Sequence, residues 1–422
     1  MRHRSPALLG ALLLSTLLVS CSSSDGTSDS AGGGRTALDV WLMRDSVSDA
    51  FQKEFEAGFE KAHPGIDVRI QIQEWEGIGE KVTAALAGND APDVIEVGNT
   101  QVAQYAQSGG LTDFTDKVPE LGGESWLKGL AEPGAYDGRQ YGIPYYAANR
   151  VVIYRTDLFE KAGVDAASIR TRDQWIAATE KLNRAGTQGI YLPGQNWYAL
   201  AGFIWDEGGD LAVESGGTWK GGLDSPEALR AMAFYQRLQS LGKGPKDSDE
   251  AQPPQAEVMA KGRIAQIIAA PGGAAVVTQN NPALEGKLGF FPIPGKTPDT
   301  PGAVFTGGSD LVVPAAARHQ AEAYTFIEEL TGDAWQKKLA AAMSYVPNKT
   351  TLAGAVSADP GAAAMAVGAA NGHATPNTPQ WAAVEARNPI KDYMTAVLTG
   401  RDARSEAAKA SRTITSTLNS AS

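Results

Sequence analysis

Between Leu38 and Val97 the chain repeats a single rhythm, and that rhythm limits the fold more than any other feature of the sequence. Leu38 to Met43, LDVWLM, is a short apolar run that reads as a buried strand, followed by the polar turn Arg44-Asp45-Ser46. Phe51, Phe55 and Phe59 then recur every four residues among charged ones, which places them on one helical face ending at His63-Pro64-Gly65. Ile66 to Trp75, IDVRIQIQEW, alternates apolar and polar residues as a half-buried strand does. Gly79 to Ala87 is helical again, Gly88-Asn89-Asp90 breaks it, and Asp93 to Val97 forms the next strand. Strand, helix, strand, helix, strand predicts an α/β domain. In open sheets of that kind, ligands sit beyond the carboxyl ends of the strands. That rule directs attention to Arg44, Asp45, Trp75 and the turn Gly98-Asn99-Thr100.

Further along, Gly142 to Asn149 leads into the β-branched run Val151-Val152-Ile153-Tyr154, where one domain hands over to another. Helices are expected over Arg172 to Asn183 and Pro226 to Leu241, a surface loop over Lys243 to Gln255, and strands over Ile264 to Ala269 and Leu288 to Phe291. Ala303 to Val313, AVFTGGSDLVV, has two glycines inside an apolar run, which suits a bend or hinge. The C-terminal third is Ala-rich and helical, and no repeat of fixed period appears. A chain of 422 residues exceeds what one hydrophobic core usually holds, so two domains are expected.

The amino terminus reads as an export signal. Arg2 and Arg4 precede the apolar stretch Ala7 to Val19, which is shorter than the roughly 20 residues a membrane-spanning helix needs. Leu18-Val19-Ser20-Cys21 resembles a lipobox, so Cys21, the chain's one cysteine, is the expected acylation site after removal of residues 1–20. With no second cysteine a disulfide framework is excluded. Residues 21–35, rich in Ser, Gly and Asp, have the composition of a tether. The expected location is extracytoplasmic, with a lipid anchor at the outer face of the cell membrane.

A net charge of −11, made more negative by loss of the two leader arginines, argues against nucleic acid as a partner. His63, His319 and His373 stand alone, with no i, i+4 partner or nearby cysteine, so no metal site and no cofactor is expected. Phosphate-binding loops, nucleophile elbows and dinucleotide fingerprints are missing from the sequence. A secreted carbohydrate-active enzyme would need two carboxylates about 5 to 9.5 Å apart. Glu74 with Glu76, or Asp206 with Glu207 and Asp210, are the nominal candidates among 48 acidic residues.

Five stretches, in register along the chain, resemble the extracellular solute-binding proteins of ABC sugar importers, the group that includes maltose-binding protein. They are LDVWLM; His63-Pro64-Gly65-Ile66 with Val68; Ala91-Pro92-Asp93-Val94 with Gly109-Gly110-Leu111; Gly142-Ile143-Pro144-Tyr145; and Val397-Leu398-Thr399-Gly400. The resemblance implies a type II periplasmic-binding-protein fold, two α/β lobes joined by hinge strands. One lobe is then expected over 36–149 plus 309–345 and the other over 150–308 plus 346–422, with crossings at Tyr146 to Asn149 and Gly307-Gly308. It also implies a monomeric, non-enzymatic binder that closes its lobes on a sugar and passes it to permease subunits in the membrane. A glycan-active enzyme, or the same fold binding a peptide, polyamine or metal chelate, is the alternative.

Sugar capture needs aromatic faces for pyranose rings and fixed polar groups for hydroxyls. The expected ligand-binding residues are Arg44, Asp45, Trp75 and Asn99 at strand ends, Tyr146 and Asn149 at the first crossing, and Gly308 with Ser309 at the return. Trp197 is the expected stacking face of the second lobe, and Trp381 and Arg387 lie in a stretch that often faces the cleft in this family. Trp126, Trp175, Trp205, Trp219 and Trp335 are read as packing. Gly98-Asn99-Thr100 is similar to the matching segment of chito-oligosaccharide-binding members, which raises that substrate. Many relatives carry a Gly-Pro-Trp segment whose tryptophan stacks on sugar; here Ala270-Pro271-Gly272-Gly273 puts Gly273 in its place.

Overall fold

The strand Thr36–Met43 pairs in parallel with Ile66–Gln73 along its whole length and with Val94–Gly98 on its other side. The computed structural model describes residues 35–44, 46–75, 77–88 and 90–420. Cys21 and Asp45 therefore lie outside the described residues. The helix Asp49–Ala62 starts where Ser48 Oγ accepts the Phe51 N–H, so Ser48 is its N-terminal cap. Its Phe51, Phe55 and Phe59 are all buried, and Phe55 meets Phe326 and Trp335 edge-on at 5.2 and 4.9 Å.

Three further strands complete a six-stranded sheet: Gly307–Val312 runs antiparallel between Val94–Gly98 and Ile143–Ala148, and Val346–Pro347 forms the far edge. Adjacent residues go to opposite faces, as strand geometry requires. Val94 and Leu311 join one apolar core, while Ile95 and Val312 join a second. Because both faces are covered there, the central strand Val94–Gly98 is buried residue after residue through Val97, Glu96 included, whereas the edge strand Ile66–Gln73 keeps several positions exposed.

A second half is built on an antiparallel three-stranded sheet, in which Val151–Arg155 lies between Gln266–Ala269 and Leu288–Phe291. It too is covered on both sides, with Val152 in one core and Val151 and Ile153 in another. The larger core collects the helices Arg172–Arg184, Trp197–Asp206, Pro226–Ser240, Trp381–Arg387, Pro389–Leu398 and Ala403–Leu418. Arg172–Arg184 opens with a reciprocal capping box between Thr171 and Gln174.

The chain passes between the two sheets more than once. It leaves the six-stranded sheet at Ala148 and enters the three-stranded one at Val151. It returns through Thr306, which separates the short strand Val304–Phe305 from Gly307–Val312. After Val346–Pro347 it goes back once more, to the helix Pro360–Ala369 packed on Leu288–Phe291. No helix among the described residues is long and apolar enough to cross a membrane.

Candidate functional site

Met43, Gln73 and Gly98 end the three parallel strands on one edge of the six-stranded sheet. Beyond that edge lies a cavity of about 460 Å³, with Trp75, Asn99, Thr100 and Gln101 on its near wall. The far wall comes from the second half: Tyr198, Ala270, Phe305 and Glu385. Its floor is made by the passages themselves, with Tyr146 and Ala148 from the first, Gly307, Gly308 and Ser309 from the second, and Tyr345 from the third.

Aromatic rings supply most of the apolar lining. Trp75 is 44% exposed, and its indole N–H donates to the Arg44 carbonyl at 3.1 Å, which leaves the ring face free while fixing its edge. Tyr198 and Phe305 stack 4.5 Å apart at 20°, and the Arg150 guanidinium lies 4.5 Å over the Tyr198 ring. On the floor, Tyr146 and Tyr345 stack face to face at 4.1 Å and 7°.

Two carboxylates line the cavity in different ways. Glu96 is fully buried: Met43 N–H donates to it at 2.8 Å, Ser46 Oγ at 2.6 Å and Tyr146 Oη at 3.3 Å. Burial raises its pKa, and hydrogen bonds from Ser309, Ser46, Met43 and Tyr146 offset part of that rise. The Tyr146 phenol is pushed up by burial and by the Glu96 charge, so it stays a neutral donor. Glu385 is half-buried and accepts from Trp381 Nε1 at 3.0 Å, Thr100 Oγ1 at 3.0 Å and Gln101 Nε2 at 3.2 Å. Desolvation raises its pKa as well, against those three donors.

Of the residues singled out in the sequence, Trp75, Asn99, Tyr146, Gly308 and Ser309 meet at this cavity. Asn99 Nδ2 is already engaged there, donating to the carbonyls of Thr306 at 3.0 Å and Gly129 at 3.3 Å. Arg44 is not on the cavity wall; it is exposed at the end of its strand, paired with Glu74 at 2.6 Å. Asn149 is buried behind the wall, where its N–H donates to Met365 Sδ. Trp197 is 4% exposed in the second-half core, because helical spacing turns it inward and turns its neighbour Tyr198 to the cavity. Trp381 is fully buried and reaches the cavity only through Glu385, one helical turn on. Arg387, on the same helix, lines a separate groove with Arg401 and Lys409.

Glu96, Glu385, Tyr198, Phe305 and Tyr345 escaped the sequence reading. Glu96 sits in the run Val94-Ile95-Glu96-Val97, and a charged residue buried in a two-sided strand is the one signal that could have marked it. Of the nominal catalytic carboxylates, Glu76 lies outside the described residues, Glu74 pairs with Arg44, and the other three are engaged away from the cavity. Asp206 and Glu207 both pair with Arg172, Glu207 also pairs with Arg230 and Lys296, and Asp210 accepts from Trp205 Nε1 at 3.1 Å. His63 pairs with Glu329, His319 with Asp93, and His373 stacks on Trp205 at 5.2 Å. No group of three metal-ligating side chains occurs among the described residues.

Residues 44–337 match the profile of the bacterial extracellular solute-binding protein family. The diacetylchitobiose binding protein DasA of Streptomyces coelicolor is 38% identical over 404 residues, 93% of this chain and 94% of that protein. Among solved structures, the sugar-binding protein MalE of Xanthomonas citri superposes with a TM-score of 0.80 at 22% identity, over 91% of this chain and 97% of that one. The GacH receptor of Streptomyces glaucescens gives 0.78 at 22%, over 92% and 100%. These likenesses carry the fold, a two-half α/β architecture of the periplasmic sugar-binding type. With a profile match over most of its length and a full-length relative, the chain belongs to the bacterial extracellular solute-binding protein family.

Proposed function

We propose that the chain is the solute-capturing lipoprotein of an ABC importer, that its solute is a short N-acetylglucosamine oligosaccharide with diacetylchitobiose foremost, and that it binds without turning the solute over. The observation that carries the choice of solute is the 38% identity to a diacetylchitobiose binding protein over nearly the whole of both chains. The cavity supports it chemically. At about 460 Å³ it falls in the range of small-molecule sites, and it offers ring faces at Trp75, Tyr198 and Phe305 with carboxylate acceptors beside them. Asn99, Tyr146 and Ser309 add amide and hydroxyl groups on the floor. Micromolar capture corresponds to about 8 kcal/mol, and a few charge-assisted hydrogen bonds of about 1.5–3 kcal/mol each, plus ring stacking, supply that after ordering costs.

In this reading the two halves are the lobes, roughly 36–149 plus 309–345 and 150–308 plus 346–422, and the solute stabilises their closed arrangement because only there do both touch it. The closed monomer is what the permease recognises. Cys21 anchors the chain to the outer face of the membrane, and the permease and its ATPase are the partners. Ala270 lines the cavity where many relatives place the segment that leads to a stacking tryptophan, so Tyr198 and Phe305 provide the far-wall rings instead.

Calorimetric titration against a panel of mono- and oligosaccharides tests this reading. Diacetylchitobiose gives saturable heat with micromolar or tighter affinity and no product by chromatography, glucose and maltose give none, and Trp75→Ala weakens binding by about 1–3 kcal/mol. Heat from maltose but not from diacetylchitobiose removes the proposed solute, and accumulation of monosaccharide removes the proposal that the chain is a binder only.

A further inference from the structure

Glu385 touches both halves of the molecule at once. It belongs to the helix Trp381–Arg387, whose Trp381 and Val384 are buried in the large core of the second half. One carboxylate oxygen, Oε1, accepts the indole N–H of Trp381 at 3.0 Å, a bond within its own helix that sets the direction of the group. The other, Oε2, accepts from Thr100 Oγ1 at 3.0 Å and from Gln101 Nε2 at 3.2 Å. Thr100 and Gln101 form the turn that ends the strand Val94–Gly98 of the first half. Gln101 Nε2 also reaches Thr100 Oγ1 at 3.3 Å, so the two donors hold each other in place around one oxygen. All three residues line the cavity.

This arrangement differs from the other polar ties on the cavity wall. Asn99 spends its donors on backbone carbonyls, and Glu96 receives its donors from strands of its own sheet and the turn after one of them. Glu385 is bridged from the opposite half by two neutral side chains, Thr100 and Gln101. A hydroxyl or amide N–H of an entering solute offers the same kind of donor as Thr100 and Gln101, so exchange of one for the other conserves the hydrogen-bond count.

We propose that Glu385 is a latch between the two halves: in the solute-free chain it holds them together through Thr100 and Gln101, and a solute enters by taking over that carboxylate with its own donors. The latch makes the solute-free population compact, and it makes release of the Thr100 and Gln101 bonds a step on the way in. It also selects for solutes that present a donor at this wall over those that present only acceptors. The solute named for this role rests on the preceding subsection; the latch itself does not.

Small-angle scattering of the full-length chain without solute, compared among wild type, Glu385→Ala and the pair Thr100→Val with Gln101→Leu, tests it. The latch predicts a larger radius of gyration in both variants, and no further increase when all three substitutions are combined, because they remove the same bonds. Loss of one charge-assisted hydrogen bond lowers the closed-to-open ratio about tenfold, and the association rate of diacetylchitobiose, followed by tryptophan fluorescence, rises by up to the same factor. Scattering curves that superimpose across all the variants overturn the latch. If Glu385→Ala does not fold, the substitutions on the opposite wall decide the matter alone. Because scattering is read without solute, a chain that ignores diacetylchitobiose overturns the proposed solute and leaves the latch to be judged on its own.

Discussion

Asp310 is fully buried on the strand Gly307–Val312, and neither of its carboxylate oxygens finds a hydrogen-bond partner among the described residues. Gly142 lies so close that an added Cβ there would meet the Asp310 carboxyl at 3.0 Å. Burial alone pushes the Asp310 pKa well above the usual carboxylate range. A folded-state pKa above the unfolded one means that the folded chain holds the extra proton. Its contribution to stability is therefore complete below the unfolded value, near pH 4, and is lost as pH rises through the raised folded value. Asp310→Asn, neutral and of the same shape, does not titrate. The stability difference between wild type and Asp310→Asn should fall as pH rises from 4, by up to about 1.4 kcal/mol per pH unit within the titrating window. Urea unfolding of both chains from pH 4 to 8 checks this; a difference that is flat, or that grows with pH, contradicts the assignment. Side chains of this kind lay beyond the sequence reading for a physical reason. Asp310 follows Gly-Gly-Ser in a segment read as a hinge, and Glu385 sits in an Ala-rich helix where nothing local separates it from a solvated charge. What makes either one special is the wall opposite, and that wall comes from distant parts of the chain.

The elements joining the two halves show a finer mixture of what local pattern reveals and what packing decides. The two glycines at 307 and 308 suggested a bend, but the break in the strand falls at Thr306, and the glycines themselves are paired with Ala148 and Ala147. Their small size serves close approach. A Cβ on Gly308 would lie 2.1 Å from the Tyr146 carbonyl oxygen, and its φ of 145° is one that side-chain-bearing residues rarely adopt. Gly308→Ala is expected to destabilise the chain by about 2–4 kcal/mol, and to weaken solute capture because Tyr146 and Ser309 are displaced with the floor. Gly354→Ala, at a glycine with nothing within 4 Å of an added Cβ and no left-handed φ, should change stability by less than about 0.5 kcal/mol. Denaturant midpoints of the two variants, with titration of whichever folds, separate a strained passage from a general sensitivity to substitution. Elements with a strong local pattern were legible: the Phe51, Phe55 and Phe59 helix and the strand read over 66–75, found at 66–73, follow from spacing, and the strand read over 38–43, found at 36–43, from its apolar run. The stretch around Trp197 and Tyr198 was legible as aromatic but not as to direction, because which of two neighbouring rings faces the cavity depends on how Trp197–Asp206 docks against Pro226–Ser240.

Across the whole molecule, neither sheet is built from one continuous stretch of chain. The six-stranded sheet takes strands from residues 36–148 and again from 307–347, and the second half fills the interval and then receives the C-terminal helices. Each half thus closes a long loop of the other, and the cavity lies where the passages run side by side. A solute held there contacts both halves, so its binding free energy is added to the stability of the assembled pair and not to one sheet alone. At a free concentration 100 times its dissociation constant, a solute that binds only the folded chain adds about 2.7 kcal/mol. If the cavity is the site, diacetylchitobiose at that excess should raise the urea midpoint by an amount that, multiplied by an unchanged m-value, returns that increment. The Trp75→Ala chain should need proportionally more sugar to reach the same midpoint. A midpoint shift confined to one of two separable transitions would place the solute on a single half, and would detach the sugar from the cavity that Trp75, Tyr198 and Phe305 enclose.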